Sequence, residues 1–80
     1  MQAWTDSAEQ SLLRREARAQ VRAAIAELPE SYRTALMLRD MEERSTREAA
    51  DLLGITENAL KLRLHRARQA LATKLQGVAR

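Results

Sequence analysis

Eighty residues with a net charge of +3 make one small domain, not two. At 45 % hydrophobic and 31 % charged, with Ala and Leu supplying 27 residues, the chain is globular and strongly helix-prone rather than disordered. Zero cysteines and one histidine leave no basis for a disulfide framework, a zinc site, a Cys nucleophile or a Ser-His-Asp triad.

No apolar run approaches the length of a membrane span, and the N-terminus has no signal-peptide core. The expectation is a soluble, cytoplasmic, all-α domain that is not an enzyme, needs no cofactor and has no membrane partner.

Residues 1–6 lack periodicity and read as a flexible N-terminal arm ahead of a domain over 7–77. Trp4 lies in this arm; docking on the body and lying on the surface both fit it. From Ser7 to Leu28, the apolar residues Leu13, Ala17, Val21, Ala24 and Leu28 recur at helical spacing and predict one buried stripe. Asp6 or Ser7 suits the cap, and Arg14, Arg15, Arg18 and Arg22 read as a solvated face. Pro29 ends this helix by pushing Leu28 out of the α region.

A second helix is expected from Glu30 to about Met41, with Tyr32, Ala35, Leu36, Met37 and Leu38 as its apolar face. Asp40, Glu42 and Glu43 oppose the dipole at its C-terminal end, so a turn is expected near Glu43 and Arg44. Ser45-Thr46-Arg47-Glu48 has the form of a capping box and opens a third helix. Ala49, Ala50, Leu52 and Leu53 are its inward candidates, and Gly54 suits the left-handed C-terminal position. Ile55 plugs the turn, Thr56 caps the next helix, and Leu60, Leu64, Ala67, Leu71 and Leu75 form that helix's inner stripe over about 57–76. Gly77 is expected to stop it.

Two short helices joined by a glycine-containing turn near 54–56 make a helix-turn-helix, here inside a small four-helix domain without winged elements. The last helix is basic. Asn58 to Arg80 holds six cations and no acid, whereas Met1 to Glu57 carries 8 arginines against 11 acids. A cationic end on a mildly acidic body suits an anionic partner, nucleic acid above all; a solvated cationic face reads the same pattern without a ligand.

With Leu60, Leu64 and Ala67 inward, the opposite line of the helix runs through Asn58, Leu62, His65 and Gln69, flanked by Lys61 and Arg66. Glu57, Asn58, Lys61, Leu62, His65 and Arg66 are therefore the candidate base-facing set. Glu57 equally suits the helix dipole. Leu62 meets either a thymine methyl or a protein. Arg63, Arg68 and Lys74 lie nearer the edges of the buried stripe and suit phosphates or intramolecular pairs.

Leu28-Pro29-Glu30, Tyr32-Arg33, Leu38-Arg39-Asp40, Glu48-Ala49-Ala50, Leu53-Gly54-Ile55 and the run Arg63-Leu64-His65-Arg66-Ala67-Arg68 resemble region 4 of sigma-70 family RNA polymerase sigma factors, closest to the extracytoplasmic-function class. The resemblance covers about residues 10–75. It implies a domain that reads the −35 promoter element in double-stranded DNA through its last helix. It also implies docking on the β flap of RNA polymerase and control by an anti-sigma factor. On the same resemblance Lys61, His65 and Arg66 face promoter DNA, with Arg63 and Arg68 near its backbone. The sequence departs from the family at Leu62, where a small polar residue is usual. It departs again at Glu57-Asn58-Ala59, where Val-Gly-Thr-like residues are usual. A LuxR-type output domain, which dimerises through its last helix, and a protein-interaction module with weakened DNA reading are the competing readings.

Overall fold

The computed structural model describes residues 2–79, with side chains over 8–77. Four α-helices follow one another: α1 (Gln2–Ala26), α2 (Glu30–Leu36), α3 (Thr46–Leu53) and α4 (Glu57–Ala79), and α2 runs on into a π-helical turn, Met37–Met41. There is no strand among the described residues. Helix α4 is the spine: it packs most extensively on α2 and also touches α1 and α3.

The core is built from small and branched aliphatics at helical spacing. Ile25 and Leu28 come from the end of α1 and the bend after it. Ala35 and Leu36 come from α2, Ala49 and Ala50 from α3, and Leu60, Leu64 and Ala67 from α4. The three fully covered alanines, Ala35, Ala49 and Ala67, let the helices approach closely around Leu36 and Leu60. Tyr32, Leu38, Leu53, Ile55 and Leu71 close the edges.

The bend between α1 and α2 has two supports. Pro29 sits at φ −53° and ψ 147°, outside the α region, as the N-cap of α2. Arg33 then reaches back, its Nη1 donating to the carbonyl oxygens of Leu28 at 3.1 Å and Ala26 at 3.4 Å. A cation thus satisfies carbonyls left open at the end of α1, where the helix dipole favours positive charge.

The next connection is the least regular. In the π turn the amide of Glu42 donates to Met37 five residues back, at 2.9 Å. Glu43 then takes φ 56°, a left-handed conformation without glycine's freedom. Arg39 lies beneath this bend, with Nη1 donating to the Arg44 carbonyl and Nε buried without a partner. The acidic end of the turn is neutralised: Asp40 pairs with Arg68 and Glu42 with Arg44.

Leu52, expected to face inward from α3, is instead 60 % exposed, and three expectations about the ends and stripe of the long helices also need correction. The segment 1–6 read as an arm is helical from Gln2, with Met1 and the Trp4 side chain outside the described residues. It holds neither proline nor glycine, so helix propagation continues through it. The stripe on α1 is buried only at its C-terminal end: Leu13 is 63 % exposed, and Ala17 is exposed too. Among the described residues the core reaches along α1 only as far as Val21, and Leu13 lies two turns beyond it. Gly77 does not stop α4, which continues to Ala79. A glycine costs a helix only about 1 kcal/mol relative to alanine, too little to end a helix already propagating.

Candidate nucleic-acid interface

The helix-turn-helix is set by local hydrogen bonds. Ser45 Oγ accepts from the amide of Glu48 at 3.0 Å, and Glu48 Oε1 accepts from the amide of Ser45 at 3.1 Å, completing the capping box. The Ser45 amide foremost, and then the Ser45 side chain, hold the Glu48 carboxyl below its usual pKa, because a donor to the carboxylate stabilises its ionised form. At the other end of α3, Gly54 adopts φ 67° and ψ 33°. The amide of Ile55 donates to Ala50 at 3.0 Å and that of Gly54 to Asp51 at 3.2 Å, a Schellman closure. Thr56 Oγ1 then accepts from Ala59 at 3.0 Å and starts α4 one residue after the turn.

This geometry fixes the rotation of α4. Leu60, Leu64 and Ala67 face the core. The candidate base-facing residues Glu57, Asn58, Lys61, Leu62, His65 and Arg66 are all exposed, and so is Gln69. Among the described residues Lys61, His65 and Arg66 enter no ion pair, so their donors point to solvent. Arg63 is half-buried beside the core stripe.

The other two candidate phosphate contacts are committed inside the molecule. Arg68 donates through Nε to Asp40 Oδ2 at 3.1 Å and through Nη2 to Asp40 Oδ1 at 2.5 Å. Hydrogen bonding to this carboxylate raises the Arg68 pKa further above its already high value. Lys74 Nζ lies 3.3 Å from Glu27 Oε2 and ties the far end of α4 to the end of α1. Sequence had left open whether these cations meet phosphates or internal acids; Asp40 and Glu27 are internal partners it did not name. Residue separations of 28 and 47 carry no local signal of such pairing.

A second surface lies on α1 and the π turn. Ala17, Arg18, Val21, Arg22 and Met41 line an open apolar groove with cations on its rim. Met37, expected in the apolar face of α2, is instead 46 % exposed. The spacing of Met37 and Met41 shows in the sequence that this side of the element is apolar, but carries no sign of whether another element covers it. Among the described residues there is no cluster of groups able to hold a metal ion, and no helix is long and apolar enough to cross a membrane.

Comparison with known proteins shows the family. Residues 18–71 match the family described as sigma-70, region 4. The chain is 39 % identical over 74 residues to RNA polymerase sigma factor SigZ of Bacillus subtilis, covering 92 % of this chain and 42 % of that protein. It is 37 % identical over 75 residues to RNA polymerase sigma-H factor of Pseudomonas aeruginosa, covering 94 % and 39 %. It is 36 % identical over 56 residues to the ECF RNA polymerase sigma factor SigW of Bacillus subtilis, covering 70 % and 30 %. The chain thus spans about two fifths or less of the length of these curated relatives. With the family match covering the core of all four helices, this chain belongs to the sigma-70 region 4 family, which is not a family of enzymes.

Proposed function

We propose that this domain reads the −35 element of promoter DNA during transcription initiation, with α4 in the major groove. One observation carries the reading. The face of α4 opposite the core is exposed, carries Lys61, His65 and Arg66 without partners among the described residues, and contains no acid beyond Glu57 at its start. Arg66 and Lys61 suit guanine O6 and N7, Asn58 suits adenine, and Glu57 can accept from cytosine N4. Arg63 serves the phosphate backbone. Arg68 uses Nε and Nη2 on Asp40, leaving Nη1 for a phosphate, and Lys74 adds a weaker, shared contact.

The same reading places the domain in the bacterial cytoplasm on RNA polymerase core, docking on the β flap, with an anti-sigma factor as the natural antagonist. The groove of Ala17, Val21 and Met41 supports docking, because it offers apolar area left open among the described residues. Affinity for isolated DNA is expected to be weak though sequence-selective, with linkage to other bound parts adding affinity and specificity in the assembled enzyme.

Fluorescence anisotropy against a −35-type duplex and a scrambled duplex, over a salt series, tests the reading. A preference of tenfold or more with a log–log salt slope of roughly −3 to −5 supports it. Equal weak binding to both duplexes leaves two causes, a target changed by Glu57, Asn58 and Leu62 or a surface that serves a protein partner, and selection from randomised duplexes separates them. A stable dimer in sedimentation would favour the LuxR-type arrangement instead.

A further inference from the structure

We infer that Leu62 is a specificity-determining residue that packs against the 5-methyl group of a thymine in the recognised duplex. The inference rests on the promoter-reading role of α4.

Leu62 is 49 % exposed on a face of α4 whose other exposed residues are mostly polar or cationic. It lies almost diametrically opposite the buried line of Leu60, Leu64 and Ala67, so it occupies the middle of the reading face rather than its rim. Its neighbours one turn away on the same helix are Asn58 and Ala59 before it, and His65 and Arg66 after it. An apolar protein partner would call for a contiguous patch on this face. Here a single isobutyl group stands among polar and cationic side chains that are exposed and suited to base edges and phosphates.

In the major groove only one apolar feature is available to such a group. Of the four bases, thymine alone carries a methyl at C5; the other edges present hydrogen-bond donors and acceptors that a leucine would desolvate without compensation. Leu62 therefore acts in two ways. It gains by covering a thymine methyl, and it disfavours a base whose polar edge would lie beneath it. The charged residues around it supply attraction that is insensitive to sequence, so the apolar centre sets the preference at one position.

The test begins by selecting preferred duplexes from a randomised library with the 80-residue chain. Each thymine in the selected site is then replaced singly by deoxyuridine, which removes the methyl and leaves the pairing edge unchanged. One thymine is expected to lose about fourfold in affinity, the effect of burying one methyl-sized group. Leu62→Ala is expected to lose a similar factor on the thymine duplex and to be indifferent to deoxyuridine at that position. Circular dichroism should show full helicity in the variant, because the replaced side chain is outside the core. A defined consensus with no methyl-sensitive thymine overturns the inference while leaving the promoter reading intact. So does a Leu62→Ala protein that still senses the methyl fully. A selection that returns no consensus overturns the promoter reading and this inference together.

Discussion

Arg68 on α4 grips both carboxylate oxygens of Asp40, 28 residues earlier, at 3.1 and 2.5 Å. The pair joins the π turn to the middle of the proposed reading helix, so the most irregular connection in the fold and the most cationic helix are held as one body. Both side chains are about half exposed, which limits what the pair adds to stability even with two-pronged geometry.

Asp40→Ala is expected to cost about 0.5–1 kcal/mol in urea denaturation. The same substitution releases the Arg68 guanidinium, so DNA binding should tighten and the salt slope should steepen by about one counterion. Loss of stability without any change in slope would show that Arg68 works only as a strut.

The capping box gives a pH-dependent contribution of known sign. Ser45→Ala is expected to destabilise by about 1 kcal/mol at neutral pH. The Glu48 carboxyl has its pKa lowered in the fold, so its contribution is complete above the ordinary carboxylate pKa and is lost as pH falls through the folded value. Glu48→Gln keeps the accepting oxygen but cannot titrate, and should flatten this part of the stability profile between pH 7 and roughly pH 3. Identical acid limbs for wild type and Glu48→Gln would remove Glu48 from the pH response.

Glu43 holds φ 56° after the π turn. Left-handed backbone costs a residue with a Cβ roughly 1–2 kcal/mol, partly offset because glycine gives the unfolded chain more freedom. Glu43→Gly should therefore stabilise the domain by about 0.5–1 kcal/mol and raise Tm by a few degrees. Glu43→Val, branched at Cβ, should lower it.

Arg66 and Lys74 are expected to separate by type of contact. Arg66→Ala should weaken the preferred duplex more than random DNA, by a differential of about 1–3 kcal/mol, whereas Lys74→Ala should weaken both alike. Equal losses on both DNAs for Arg66→Ala would take it out of the reading set.

The sequence was most legible where structure is decided within a few residues. Pro29, the Ser45–Glu48 box, Gly54 and Thr56 each fix a helix boundary through bonds no longer than five residues, and each stands where its chemistry predicted. The inner stripe of α4 was legible because Leu60, Leu64 and Ala67 repeat at one period. Periodicity, however, reports that a face is apolar, not that another element lies over it. That is why Leu13 and Met37 were expected to be covered and are open. The π turn escaped notice because one extra residue in a hydrogen-bonded ring leaves no compositional mark. The pairs Asp40–Arg68 and Glu27–Lys74 depend on the finished packing of distant helices.

Residues 8–23 of α1 include no buried side chain, whereas Ala24 and Ile25 in its last turn belong to the core side. The two ends of this one helix therefore answer to different forces. The last turn melts with the domain, while the outlying turns depend on their own hydrogen-bond ladder and on the propensity of Ala, Leu, Arg and Glu, which is marginal for an unsupported segment of this length. Amide exchange should divide α1 into a fast and a slow stretch, with the boundary near Val21. Total helicity then falls in two steps on heating, and the loss of helix signal will precede the loss of the core. The domain has one hydrophobic core but is expected to open as two cooperative units, their dividing line running through a continuous helix.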